Sequence, residues 1–162
     1  MKQSLLTTIL CLLIFTTANI FADPVDSLRA LSIAQKFYAT KAPILKSGRQ
    51  QNLNFSLSQK LEYVSNQNSV RQGRKSAGKE YLYYVFNVEN DGGFVIVAGD
   101  DASYPIIGYG TQGRFETANQ PSNLKGWMQW YVQQLIEIKD KSLNADKEIE
   151  TTWSNILNSI PK

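Results

Sequence analysis

The hexapeptide Gly108-Tyr109-Gly110-Thr111-Gln112-Gly113 reads G-x-G-x-x-G, a spacing that lets backbone N–H groups cradle a pyrophosphate. That chemistry needs a strand before the motif and a helix N-terminus after it. A strand-like run precedes it, but Arg114-Phe115-Glu116 and a polar loop follow, so the expected role is a turn or bulge between antiparallel strands. Asp100 and Asp101 are adjacent carboxylates, the residue type of a general acid–base pair. Neighbours on an extended segment point apart, however, and Asp after Gly99 is ordinary turn chemistry. A nucleophilic serine needs a base, and the chain has no histidine. Its single cysteine, Cys11, sits inside an apolar N-terminal run. Thiol–imidazole chemistry and His/Cys zinc sites lack their ligands, and no acidic loop has EF-hand spacing. The expectation is a binding protein without cofactor or metal, and not an enzyme.

The N-terminal run explains where Cys11 belongs. Lys2, the apolar stretch Leu5 to Phe15 and the small residue Ala22 form a secretory leader, residues 1–22, with cleavage expected after Ala22 and Ala18 as the alternative. The apolar part is shorter than the roughly 20 residues of a spanning helix, so no membrane association is expected once the leader is removed. Residues 23–162 then form one domain, exported to the periplasm or beyond in a bacterial host, with no disulfide. The net charge of +3 is too mild to suggest nucleic acid as a partner.

The elements that must position any site follow from patterning. Asp26 is placed to cap a first helix with Leu28, Leu31, Ala34, Phe37 and Tyr38 at helical spacing, ending near Thr40. Leu53 to Leu57 and Leu61 to Val64 read as two strand pieces, and residues 65–80 as a polar surface loop with a basic cluster of Arg71, Arg74, Lys75 and Lys79. Tyr81 to Glu89 and Phe94 to Ala98 read as strands joined by the Asn90-Asp91-Gly92-Gly93 turn, the second buried on both faces. Tyr104 to Tyr109 and Arg114-Phe115 read as further strands. From Pro121 a long helix is predicted, capped by Ser122 or Asn123, with Leu124, Trp127, Met128, Tyr131, Leu135 and Ile138 in one apolar stripe. Lys139 and Lys141 suit the dipole at its end, and a last helical piece carries Trp153, Ile156, Leu157 and Ile160. Trp127 and Tyr131 are expected in the core, whereas Trp130 falls off the stripe and is the candidate partner contact. The fold class is α+β, an antiparallel β-sheet flanked by helices.

Three stretches in order, Gly92-Gly93-Phe94-Val95-Ile96-Val97-Ala98-Gly99-Asp100, Tyr104-Pro105-Ile106-Ile107-Gly108-Tyr109 and Asn123-Leu124-Lys125-Gly126-Trp127-Met128-Gln129-Trp130-Tyr131, resemble the propeptide of streptopain-like cysteine peptidases and the related stand-alone inhibitors. The resemblance covers the region from about Pro24 to Leu157. It implies a propeptide-like α+β single domain that packs on the peptidase and holds its active site unproductive. It also implies that an asparagine leading into the long helix enters a substrate pocket near the catalytic cysteine. Asn123 matches that position, and Ala118 to Leu124, including Gln120, Pro121, Ser122 and Leu124, would form the inhibitory wedge. In the zymogens a peptidase domain follows, whereas this sequence stops at Lys162, so action in trans is expected from a protein that is monomeric when free. A detached propeptide that assists folding, or a non-inhibitory surface binding module, are the alternative readings.

Overall fold

The computed structural model describes residues 23–41, 53–64 and 78–159. The expected leader, the polar segment 46–52, most of the 65–80 segment and Ile160 lie outside the described residues. Seven elements follow in chain order: α1 (Ser27–Lys41), β1 (Phe55–Glu62), β2 (Tyr81–Val88), β3 (Gly93–Ala98), β4 (Ile106–Gly110), α2 (Ser122–Asp140) and α3 (Lys147–Asn158). The four strands form one antiparallel sheet in the order 1-2-3-4, so the α+β expectation holds.

Asp26 caps α1 as its sequence position predicts, its Oδ1 accepting the N–H groups of Leu28 and Arg29 at 2.8 Å. The buried face of α1 is Ala30, Ile33, Ala34 and Tyr38, with Leu31 and Phe37 at its margin. Leu28, assigned to the apolar stripe by spacing, is 77% exposed. It lies in the first turn, ahead of the point where α1 meets the sheet.

The stretch from Leu53 to Val64 contains one strand, β1, not two. β1 pairs along its length with β2, and the break in alternation is a bulge at Ser58, between the Leu57–Phe86 and Gln59–Val85 pairs. The β2–β3 hairpin closes through Gly92 N–H to Glu89 O at 3.2 Å, with Asn90 and Asp91 at φ 57° and 53°, a type I′ turn. The left-handed positions are thus Asn90 and Asp91, ahead of the two glycines. Gly93, at φ 128°, is needed for a different reason: a Cβ there would lie 2.1 Å from the Gly110 carbonyl oxygen. Arg114 and Phe115 are not a strand. After β4 only Gly113 makes a bridge, to Gly92, and the chain leaves the sheet.

Register assigns the faces, because directly paired residues point the same way. Val85, Asn87, Ile96, Phe94 and Gly108 share the face that α2 covers. Tyr84, Phe86, Val88, Val95, Val97 and Tyr109 share the face that α1 covers, with α3 packed beside α1. Helices on both sides explain why β2 and β3 are buried almost throughout, as the apolar run Phe94 to Ala98 implies. Trp153 locks α3 in place, donating from Nε1 to the Ser103 carbonyl at 2.8 Å beneath the Arg29 guanidinium.

The largest departure from expectation is Lys139. Instead of serving the helix dipole at the surface, it is 0% exposed. It lies on the buried line of Met128 and Leu135. Its Nζ lies 3.0 Å from Asp100 Oδ2, 3.1 Å from Glu80 Oε2 and 3.3 Å from the Gly99 carbonyl. Asp100 is buried with it, its Oδ1 taking the Ala102 N–H at 3.1 Å. Asp101 points the other way, to Arg29 at 3.1 Å, so the two adjacent acids serve different helices.

Breaking a buried ion pair leaves an uncompensated charge, so Lys139→Met should lower the unfolding free energy by about 3–5 kcal/mol in urea titration. Lys141→Met, which breaks only the exposed pair with Glu137, should leave it nearly unchanged. Burial pushes the Tyr84 hydroxyl, which donates to the Val25 carbonyl at 2.8 Å, up to about 12. Its neutral form is favoured in the folded state, so its contribution is complete below about pH 10 and should be lost as pH rises toward 12. Tyrosinate absorbance followed alongside circular dichroism should show ionisation and unfolding together in that range.

Candidate functional site

The segment leading into α2 starts from a fixed point. Asn87, buried in β2, accepts the Phe115 N–H on its Oδ1 at 2.9 Å and donates from Nδ2 to the Phe115 carbonyl at 3.3 Å. The Phe115 ring packs edge-on to Phe94, centroids 5.4 Å apart. From this anchor the chain turns outward. Asn119 takes a left-handed φ of 54°, and Gln120 Nε2 donates back to the Glu116 carbonyl at 2.6 Å. Residues 116–119 and 121–123 are exposed. The expected wedge is therefore a surface loop tied at its base and braced across its middle.

At the far end of the loop the capping expectation is corrected. Neither Ser122 nor Asn123 caps α2: Pro121 occupies the N-cap position at φ −57° and ψ 146°, and no side chain caps the helix. The proline ring presets the extended entry, and its carbonyl accepts the Lys125 N–H at 3.0 Å to close the first turn. Ser122 and Asn123 become the first two helical residues, both exposed. The first N–H groups of the helix have no partner within it, and no side chain caps them. Such a helix end, with a partial positive charge behind it, is chemically suited to a carbonyl or carboxylate oxygen.

One turn on, an aromatic cluster extends the surface. Trp127 and Tyr131 stack edge-on with centroids 4.8 Å apart, and Trp130 and Tyr131 do the same at 5.2 Å. Trp130 is 59% exposed, as its position off the stripe implies. Trp127, expected in the core, is 38% exposed. Its ring lies over β4 where a side chain would normally stand: a Cβ on Gly108 would meet Trp127 at 3.0 Å. The G-x-G spacing thus serves packing, not phosphate. Gly108 belongs to β4, residues 111–113 turn, and no helix begins until Ser122.

Between the two helices, across the edge strand β4, runs a groove of roughly 620 Å³ lined by Phe37, Ile106, Gly108, Tyr109, Leu124 and Trp127, among others. Phe37 meets Tyr109 edge-on at 5.0 Å and closes the α1 side. Leu124 is half-buried and forms the join between wedge and groove. Asn123, Ser122, Leu124, Pro121, Gln120 and Trp130 are therefore brought to one end of the molecule, next to a groove that sequence reasoning missed. Phe37 and Tyr109 were read as parts of elements, and nothing in their local pattern says that they meet. Among the described residues no group of three or more His, Cys, Asp or Glu is placed to hold a metal ion. No helix among them is long and apolar enough to cross a membrane.

Comparison with known proteins gives this surface a context. No solved structure matches the chain. It is 30% identical over 129 residues to the thiol protease/hemagglutinin PrtT of Porphyromonas gingivalis, covering 80% of this chain and 13% of that protein. It is 41% identical over 71 residues to streptopain of Streptococcus pyogenes, covering 44% of this chain and 15% of that one. The chain thus spans a small fraction of the length of these thiol protease relatives. The family model described as Spi protease inhibitor matches residues 22–135, which include α1, the whole sheet, the wedge and most of α2. That match covers well over half of the sequence, and the chain belongs to the Spi protease inhibitor family.

Proposed function

We propose that this protein is an exported inhibitor of a streptopain-like cysteine peptidase, monomeric when free, and that it blocks the peptidase active site with residues 118–124. The observation that carries this reading is Asn123, displayed at an uncapped helix N-terminus on a loop anchored by Asn87 and Phe115. An inhibitor of this kind needs a shaped, preorganised projection and no reactive group of its own, since order already present before binding is not lost on binding. Trp130 and Trp127, beside the wedge, supply the large aromatic contacts that dominate protein interfaces. The cysteine and histidine of the chemistry would belong to the partner.

A second reading, a detached propeptide that assists folding of a separately encoded peptidase, is favoured by the nature of the matched relatives. They are thiol proteases of which this chain spans 13% and 15%. Co-expression separates the two roles, because a folding assistant raises the yield of active peptidase and a pure inhibitor does not.

Residues 23–162 should inhibit a streptopain-type peptidase at stoichiometric concentration. Full peptidase activity at excess inhibitor would return the chain to a non-inhibitory surface binding module. Asn123→Ala should weaken inhibition by about ten- to a hundredfold while leaving the melting temperature in place. If the variant instead melts earlier and keeps its inhibition constant, Asn123 is a structural residue and the wedge assignment fails. Trp130→Ala, which removes a mostly exposed ring, should weaken inhibition by about tenfold or more with no loss of stability.

A further inference from the structure

The first described residues are held in an unusual way. Asp23 to Val25 lie antiparallel to Gly99–Asp101: Val25 N–H donates to the Gly99 carbonyl at 3.1 Å, and Asp101 N–H to the Asp23 carbonyl at 3.3 Å. The main-chain nitrogen of Asp23 lies 2.5 Å from Asp101 Oδ1. The acceptor is a carboxylate, which holds a charged donor more strongly than a neutral one. The other oxygen of Asp101 takes Arg29 Nη1 at 3.1 Å. Burial pushes the Asp101 carboxyl up despite that arginine, so one cation does not offset its desolvation. Asp23 is also the residue that follows Ala22, the small residue ending the expected leader.

We propose that leader removal hydrolyses the Ala22–Asp23 bond, and that the α-ammonium released on Asp23 is bound by Asp101 Oδ1 as the second cation on that carboxylate. The proposal rests on the export reading. A host leader peptidase adds water across the bond: Ala22 leaves with a carboxylate, and the Asp23 amine takes up a proton. The alternative cut, after Ala18, would keep Asp23 nitrogen as a neutral amide with four residues ahead of it. Cleavage after Ala22 thus converts a hydrogen bond present in the precursor into an ion pair, and the mature N-terminus is stapled to the turn that also carries Asp100.

The surrounding charges make the test clean. Asp100 is paired with Lys139, Asp26 caps α1, Arg29 lies between Asp101 and the Trp153 ring of α3, and the Asp23 side chain is exposed. No carboxylate, lysine or arginine among them has an ordinary titration between pH 7 and 9. The chain has no histidine, and its one cysteine, Cys11, leaves with the leader. The α-amine, ordinarily near pH 7.7–8.0, is the one group of the mature protein that belongs in that window. Pairing with Asp101 raises its folded-state value. The stabilisation is therefore complete below the unfolded value and is lost as pH rises through the folded one.

All described elements lie within residues 23–159, so the chain from Asp23 to Lys162 keeps the whole of the described core. Prepared with a free Asp23 amine, it should melt about 3 °C higher at pH 6.5 than the same chain N-acetylated, and the gap should close by pH 9.5. Asp101→Asn should abolish the gap. Titration of the Asp23 amine by ¹⁵N NMR should place it above its ordinary value, a measurement that needs no variant to fold. Equal melting of the two chains at pH 6.5, or an amine that titrates at its ordinary value, overturns the docking. N-terminal sequencing of the product exported from the full chain should read Asp23-Pro24-Val25. A product that begins at Asn19 leaves export standing and overturns the proposal. An uncut product defeats the export reading and the proposal with it.

Discussion

A buried ammonium sets the terms for this fold. Lys139 has no solvent, so its charge must be met by the groups around it, and those come from separate parts of the chain: Glu80 before β2, and Gly99 with Asp100 after β3. Satisfying one cation therefore fixes the C-terminal half of α2 over one end of the sheet. The desolvation cost makes such a cluster a weak source of net stability but a strict one for alignment, since few registers of α2 can bring Nζ to both acids. The neighbouring Asp101 extends the constraint through the sheet. Two successive residues of one turn point to opposite sides, one to α2 and one to Arg29 of α1, and the positions of both helices are referred to that turn.

The surface around Asn123 inherits its geometry from this alignment. With α2 held at Lys139, its other end reaches the edge strand β4, where the missing side chain of Gly108 leaves room for the Trp127 ring. The Asn87 carboxamide holds the base of the loop that enters the helix. The segment 116–124 therefore rests on three supports of different chemistry, an ion cluster, an aromatic ring on a glycine and a paired amide, all inside the domain. The chain belongs to the Spi protease inhibitor family, and under the proposed function these supports would hold the projection in shape before it meets a partner.

Much of the fold was legible because its signals are local. The Asp26 cap, the hairpin turn at Asn90 and Asp91 and the twofold-buried run of β3 each depend on a few adjacent residues. The misreadings are of another kind. Leu53 to Val64 looked like two pieces because the Ser58 bulge breaks alternation while pairing with β2 continues. Arg114 and Phe115 have strand-like side chains, but Phe115 is buried against Phe94 and bound by Asn87 outside the ladder. Ser122 and Asn123 have capping side chains, yet Pro121 already supplies the extended entry that a cap needs.

By itself the sequence determined which chemistry the protein lacks the residues for, where its helices and central strands lie, and that the long helix begins at Pro121. These follow from residue type and short-range period, which do not depend on distant partners. Only the tertiary structure decided that Lys139 is buried and paired, that Trp127 stands at the surface over Gly108, that Phe37 and Tyr109 close a groove beside Asn123, and that Asp101 faces the Asp23 nitrogen. Each of those outcomes depends on residues far apart in sequence, Asp23 and Asp101 among them. Burial and charge pairing are properties of the space around a side chain, and that space exists only once the sheet has been covered on both faces.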